Sequence, residues 1–270
     1  MNYDFSKEFI KNQLKILGVP QNCPVVVHTS LRAIGNIEGK AQGFLQALID
    51  YVTTDGGLLL IPTHTWHRSD SPEKLTLDIL SNDVCIGTLP KIASTYKGVH
   101  RSTHPIYSLA VFGEESTAKE FISHDENVVS APDFSGCMGQ IAKENGYVLL
   151  IGVGQEKNTF LHIAEEYAGV KNRLAEQPYP ATVRLSNGET LKKPLKLIDT
   201  HGLGDVSEKF PKFELPFYMN GCIKYGLIGN AKTQLCDAKK MLETVSRIVK
   251  RNGYKELLSD DKPISTKLYL

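Results

Sequence analysis

The stretch CPVVVHTSLRAIGNIEGKAQGFLQALIDYVTTDGGLLLIP, residues 23–62, decides the fold. Its opening, CPVVVHTS, is a short unbroken apolar run, the pattern of a strand covered on both faces. A polar, glycine-bearing loop follows, and KAQGFLQALIDYV then repeats apolar residues at helical spacing. TTDGG is a turn, and LLLIP is a second buried strand. Strand, helix and strand in this order predict parallel pairing.

The pattern continues in both directions. MNYDFSKEFIKNQLKILG, at the start, reads as an amphipathic helix ending at Gly18. HRSTHPIYSLAVFG (100–113) is a loop and a strand, ESTAKEFIS (115–123) is helical, and GCMGQIAKENG (136–146) is a helix closed by Gly146. YVLLIGVG (147–154) is the next buried strand. After Pro178 the texture changes. ATVRLSNGETLK (181–192) is a hairpin with an Asn-Gly turn, and TQLCDAKKMLETVSRIVKRNG (233–253) reads as one long amphipathic helix. The polar tail after Gly253 is expected to be loosely held. The fold class is α/β: a mixed, largely parallel central sheet flanked by helices, with a small late antiparallel substrate subdomain at about 178–220, within a single domain spanning 1–270.

Composition narrows the function classes. Of the 270 residues 41% are hydrophobic and 23% charged, with a formal net charge of +1, and no basic stripe interleaved with aromatics argues for nucleic acid. No apolar run reaches membrane-spanning or signal-peptide length. Five scattered cysteines, without a C-x-x-C pair, fit reduced thiols in a cytoplasm.

Four places could carry chemistry. In open α/β sheets ligands bind beyond the carboxyl ends of strands, where His28, Thr29 and Ser30 stand, with Gly35, Gly39 and the helix start near Lys40 able to approach an anion. IPTHTWH (61–67) holds His64 and His67 three apart, a spacing that admits zinc or a polar pocket wall. VHRSTHPIYS (99–108) offers Arg101 and Ser102 as a fork for phosphate or as an ordinary ion-pair site. NTFLHIAEE (158–166) places His162 in the first turn of a helix capped by Asn158 or Thr159. Glu165 and Glu166 follow one turn on, so at least one carboxylate shares the imidazole's face. A neutral imidazole is the usual general base near pH 7. The absence of a G-x-S-x-G elbow argues against a serine hydrolase.

Taken together and in this order, VVVHTSL (25–31), ALIDYVTTDGGLLLIPTHTW (47–66), GTLP (87–90), RSTHP (101–105) with Ser108, and VLLIGVGQEKNTFLHIAE (148–165) resemble the aminoglycoside 3-N-acetyltransferase family, from about residue 10 to 250. The resemblance implies a cytoplasmic acyltransferase that uses acetyl-CoA as co-substrate, without a metal, to acetylate an amine of an aminoglycoside or related amino sugar. It implies that Ser30, Leu31, Arg101, Ser102, His104, Pro105 and Ser108 line the coenzyme A tunnel, and that His162 is the catalytic base with Glu165 beside it. His64, Asp205 and Glu214 are expected at the acceptor, where Asp199 and Glu208 are further acidic candidates. No nucleic-acid or membrane partner is implied, and a homodimer is left open. The sequence departs from the family at Lys40, in a short stretch between Trp66 and Gly87, and in thin acidic content of the late segment. Two other readings compete: a metal-dependent hydrolase using His64, His67 and His162, and a non-catalytic coenzyme A-binding module.

Overall fold

The computed structural model describes residues 3–65, 75–171 and 173–270. In chain order the strands are β1 (Pro24–Thr29), β2 (Leu58–Pro62), β3 (Thr76–Asp78), β4 (His100–Arg101), β5 (Leu109–Phe112), β6 (Tyr147–Ile151), β7 (Thr182–Arg184), β8 (Thr190–Lys192), β9 (Ile223–Ile228) and β10 (Ala231–Asp237). The helices are α1 (Lys7–Leu17), α2 (Leu31–Ile34), α3 (Lys40–Val52), α4 (Thr88–Ala93), α5 (Glu115–Ser123), α6 (Cys137–Lys143), α7 (Phe160–Tyr167), α8 (Glu214–Met219), α9 (Ala238–Arg251) and α10 (Thr266–Tyr269).

Seven strands form one mixed sheet in the order β4-β5-β2-β1-β6-β10-β9. β1 pairs in parallel with β2 and β6, so the crossover unit of residues 23–62 builds the centre. β5 and β10 add antiparallel flanks. Side chains on the central strands alternate between two apolar layers. Val25, Val27, Leu59, Ile61 and Leu149 join α1, α3 and α4, whereas Val26, Leu58, Leu60, Val148 and Leu150 join α6, α7 and α9. Burial on both faces explains why these strands are unbroken apolar runs.

α1 ends as expected, with Gly18 left-handed at φ +81° and its N–H donating to the Leu14 and Lys15 carbonyls. α6 ends differently. Asn145, at φ +54°, takes the left-handed position, and Gly146 is needed for space, since a Cβ there would lie 2.4 Å from the Pro24 carbonyl oxygen.

The expected long helix over 233–253 begins only at Ala238. Thr233–Asp237 belong to β10, which is paired on one side with β6 and on the other with β9. Asp237 ends the strand and caps α9, its carboxylate accepting from the Lys240 N–H at 3.0 Å. Gly229, at φ +57°, opens the two-residue loop joining β9 to β10. The small sheet, β3-β7-β8, contains the Asn-Gly hairpin, and it also recruits β3 from well before the late segment.

The tail is packed rather than loose. Leu258, Ile264 and Tyr269 are buried in the layer of α7 and α9, because their apolar side chains interrupt a polar stretch at points that face the core. Tyr269 is 1% exposed. Tyr269→Ala is therefore expected to cost about 3 kcal/mol of stability by urea unfolding. An unchanged midpoint would mean a tail that contributes nothing.

Candidate active site

A cavity of ≈ 590 Å³ opens beyond the carboxyl ends of β1 and β2, within the size range of small-molecule sites. Its position follows from register. Val26 of β1 stands beside Leu60 of β2, and both face the α7 layer. By alternation His28 and His64, two and four residues on, project from the same face, and both line the cavity. α7 covers that face, burying Phe160, Ile163 and Ala164, and its first turn brings His162 to the same cavity. Thr159 is the helix N-cap residue, without a side-chain cap bond. Asn158 instead donates to Gln155 Oε1 at 2.8 Å, and Gln155 donates to Gln234 Oε1 at 2.7 Å. This buried amide chain ties the loop before α7 to β10.

Tyr107 organises the imidazoles. Its ring lies parallel to His162 at 6.4 Å between centroids and edge-on to His64 at 4.9 Å. Phe210 meets His162 edge-on at 4.8 Å between centroids. Burial pulls His28 and His162 down to about 4; at His162 the nearby Asp205 charge opposes the shift and Arg173 adds to it. His64 lies well below its ordinary value, chiefly through burial and then through the neighbouring His28, His104 and His162. All three rings are thus neutral near pH 7. Among the described residues, nine buried side-chain nitrogen and oxygen atoms have no hydrogen-bond partner. Five belong to residues of this cavity: His28 Nε2, Thr29 Oγ1, His64 Nε2, Asn158 Oδ1 and His162 Nδ1. Buried polar atoms are normally paired, so this concentration marks a place for a ligand.

The expected carboxylate beside His162 is not hydrogen-bonded to it. Glu165 is buried on α7 and pairs with Arg173 at 3.1 Å, which in turn holds Glu256 of the tail. Burial pushes Glu165 up to about 7 while Arg173 pulls it down. Glu165 Oε2 has no partner, like His162 Nδ1 one turn earlier. Glu166 is half-buried, and its carboxyl is raised by burial. The carboxylate that acts on His162 from the cavity lining is Asp205. Its Oδ1 accepts from the Ser207 N–H and hydroxyl, at 2.9 and 2.7 Å.

The structure does not bring every expected residue to the cavity. Arg101, 5% exposed, lies behind the wall. Its Nε donates to Thr63 Oγ1 at 3.2 Å, one terminal nitrogen to the Thr63 carbonyl at 3.2 Å and to Ser108 Oγ at 3.4 Å, and the other to the Ser81 carbonyl. Ser102 Oγ accepts from the Leu109 N–H. His104 Nδ1 accepts from the Ile106 and Tyr107 N–H groups, so its Nε2 carries the proton and donates to the Ala131 carbonyl at 3.1 Å. The Pro105 carbonyl accepts from Thr65 Oγ1. These residues knit the wall that carries Tyr107. Ser30 and Leu31 adjoin Thr29, at the start of α2. Gly39 and the start of α3 are not in the cavity lining. Glu214 turns to Tyr225, whose hydroxyl donates to it at 3.0 Å; Asp199 accepts from the His201 N–H, and Glu208 is exposed. Glu156 and Lys157 line the cavity and were not singled out by sequence, which gives no sign that their short 3₁₀ turn faces inward. His67 lies outside the described residues, among which no three His, Cys, Asp or Glu side chains are grouped to hold a metal ion. No described helix is long and apolar enough to cross a membrane.

Comparison with known proteins then identifies the architecture. The family model for aminoglycoside 3-N-acetyltransferase matches residues 26–250. The chain belongs to the aminoglycoside 3-N-acetyltransferase family. It is thereby an acyltransferase. Aminoglycoside N(3)-acetyltransferase IX of Micromonospora chalcea is 29% identical over 85% of this chain and 88% of its own. The crystal structure of aminoglycoside acetyltransferase AAC(3)-Xa is 26% identical, with a TM-score of 0.75 over 91% of this chain and 92% of that one. The binary complex of AAC-IIIb with CoASH shares the fold at a TM-score of 0.78 and 22% identity, covering 92% of this chain and 98% of that one.

In this acetyltransferase, Arg101→Ala is expected to cost about 3 kcal/mol in urea unfolding, because it removes the guanidinium's hydrogen bonds to Thr63, Ser81 and Ser108 and leaves a void behind the wall. A variant of full stability that only raises KM for acetyl-CoA would instead place Arg101 on a phosphate.

Proposed function

We propose that the cavity is an acetyl-transfer site. In it His162 takes the proton of an acceptor amine that attacks the thioester of acetyl-CoA directly. The observation that carries this reading is the set of three neutral imidazoles with unpaired ring nitrogens, open to one cavity, in a chain of this family. A base must be unprotonated at rest, and burial keeps His162 in that form. Asp205, on the same cavity, then favours the imidazolium that forms on proton transfer. Such a base is typically worth about 10²–10⁴-fold in rate. Glu165 serves through α7: anchored by Arg173, it holds the helix and stands one turn from the His162 nitrogen that faces no partner.

The co-substrate supplies an activated acetyl group, and the cavity fits the end that carries it. Ile86, Leu89, Pro90 and Val153 give apolar walls for a thiol arm, while residues with unpaired imidazole, hydroxyl and amide atoms share the same lining. Ser30 and Leu31, beside Thr29, are assigned to the coenzyme path. Arg101, Ser102, His104, Pro105 and Ser108 are assigned to the wall that shapes it.

The acceptor is an amine of an aminoglycoside or a related amino sugar. Relatives named for this activity support it, as does the acidic pair Asp205 and Glu156 in the cavity. Lys157 dilutes that charge, which favours an acceptor bearing few ammonium groups. The test is thiol release from acetyl-CoA across aminoglycosides and singly charged amino sugars, at low and high ionic strength, with wild type and His162→Ala. Wild type should release thiol with at least one class. His162→Ala should lose at least about 10²-fold in turnover while still binding acetyl-CoA by calorimetry. Turnover like wild type in the variant would overturn the base assignment. Steep loss of rate with salt would mark a polycationic acceptor; little salt dependence would mark a singly charged one.

A further inference from the structure

His162 accounts for one of the three imidazoles that the described residues bring to the cavity and leaves two. Their chemistry points away from the acceptor. An ammonium needs carboxylates or carbonyls around it, whereas a neutral imidazole offers one N–H and one lone pair. His28 and His64 are 8% and 4% exposed, and Nε2 of each has no partner. Among the described residues, neither pairs with a carboxylate that would make it a second base.

His64 is also held rigidly. It follows β2 by two residues, and its carbonyl accepts from the Cys85 N–H at 2.9 Å. The next residue, Thr65, is fixed on both sides: its N–H donates to the Ile106 carbonyl at 2.9 Å and its hydroxyl to the Pro105 carbonyl at 2.6 Å. The ring leans edge-on against Tyr107, whose ring also lies parallel to His162 and tilts against His104. A fixed neutral donor and a base thus flank one aromatic platform.

We infer that His64 Nε2–H is the hydrogen-bond donor to the thioester carbonyl oxygen, and so the group that stabilises the oxyanion of acetyl transfer, with His28 beside it excluding water. The inference rests on the proposed acetyl-transfer reading. In the step it serves, the amine nitrogen forms a bond to the carbonyl carbon as the C=O π pair moves onto oxygen, where His64 donates. His162 takes the amine proton. The oxygen pair then re-forms C=O, the C–S bond breaks with its electrons going to sulfur, and His162 returns the proton to that thiolate. The products are an amide and a free thiol, and His64 keeps its proton throughout. A neutral imidazole suits this role because it donates without adding a charge that would repel the ammonium of an arriving acceptor.

The test is isotope-edited infrared spectroscopy of acetyl-CoA labelled with ¹³C at the carbonyl, bound to wild type, His64→Phe and His64→Gln, alongside turnover. In wild type the carbonyl stretch should shift to lower frequency than in solution. His64→Phe, which fills the space without a donor, should abolish the shift and lower kcat by about 10²–10³-fold, with coenzyme affinity changed little. His64→Gln, which keeps an N–H donor, should recover at least about tenfold of that loss. An unshifted carbonyl in turning-over wild type overturns this inference and leaves the acetyl-transfer reading standing. Equal loss in the Gln and Phe variants also overturns it. Failure of wild type to bind acetyl-CoA at all overturns both.

Discussion

An imidazolium removed from water loses most of its hydration, and a second positive charge in the same small cavity adds repulsion to that cost. Here His28, His64 and His162 share one cavity, so the protonated form of each is disfavoured by burial, and at His64 the other rings add to it. Most features of the site follow from this constraint. The rings are neutral, their nitrogens are available rather than tied up in ion pairs, and one carboxylate, Asp205, is placed where it favours a proton on His162 specifically. The electrostatics also differ between the rings: Asp205 opposes the downward shift at His162, whereas at His64 the other imidazoles add to it.

The scaffold meets the constraint by register. Parallel pairing of β1 with β2 and β6 sets the strand ends together, and the two-residue alternation sends His28 and His64 to the face covered by α7. α7 is then locked from two directions. The amide chain through Asn158, Gln155 and Gln234 fixes its entry, and the Glu165–Arg173–Glu256 cluster fixes its far side to the tail. Removing one member of such a buried charge cluster leaves another without compensation, which is why the tail bears on the site although no tail residue lines the cavity.

Much of this was legible in the chain itself. Unbroken apolar runs announced β1, β2 and β6, and Gly18 and Asn187-Gly188 announced their helix end and hairpin. The misread elements share a cause. Residues 233–237 satisfy a helical period as well as an extended one, and only their pairing with β6 and β9 decides. The tail looks polar because its few apolar residues are widely spaced. At the site, His162 was visible from its helix turn and His64 from its strand end. The inward direction of Asp205 and the outward direction of Glu214 were not, since both lie in irregular or short helical turns whose facing is set by tertiary contacts. Arg101 looked like a ligand-binding fork because sequence cannot tell a guanidinium that meets a phosphate from one that meets Thr63, Ser81 and Ser108.

The central claim is that the cavity imidazoles are neutral well below their ordinary range, and ¹⁵N NMR of the ring nitrogens across about pH 4 to 8 tests it directly. Because the shifts are downward, each ring should remain neutral as pH falls through 6.5, with His28 and His162 taking up protons only near about 4 and His64 showing no protonation in the neutral range. Protonation of His162 with a midpoint near 6.5 would contradict the account, since the ring would then be neither desolvated nor poised as described.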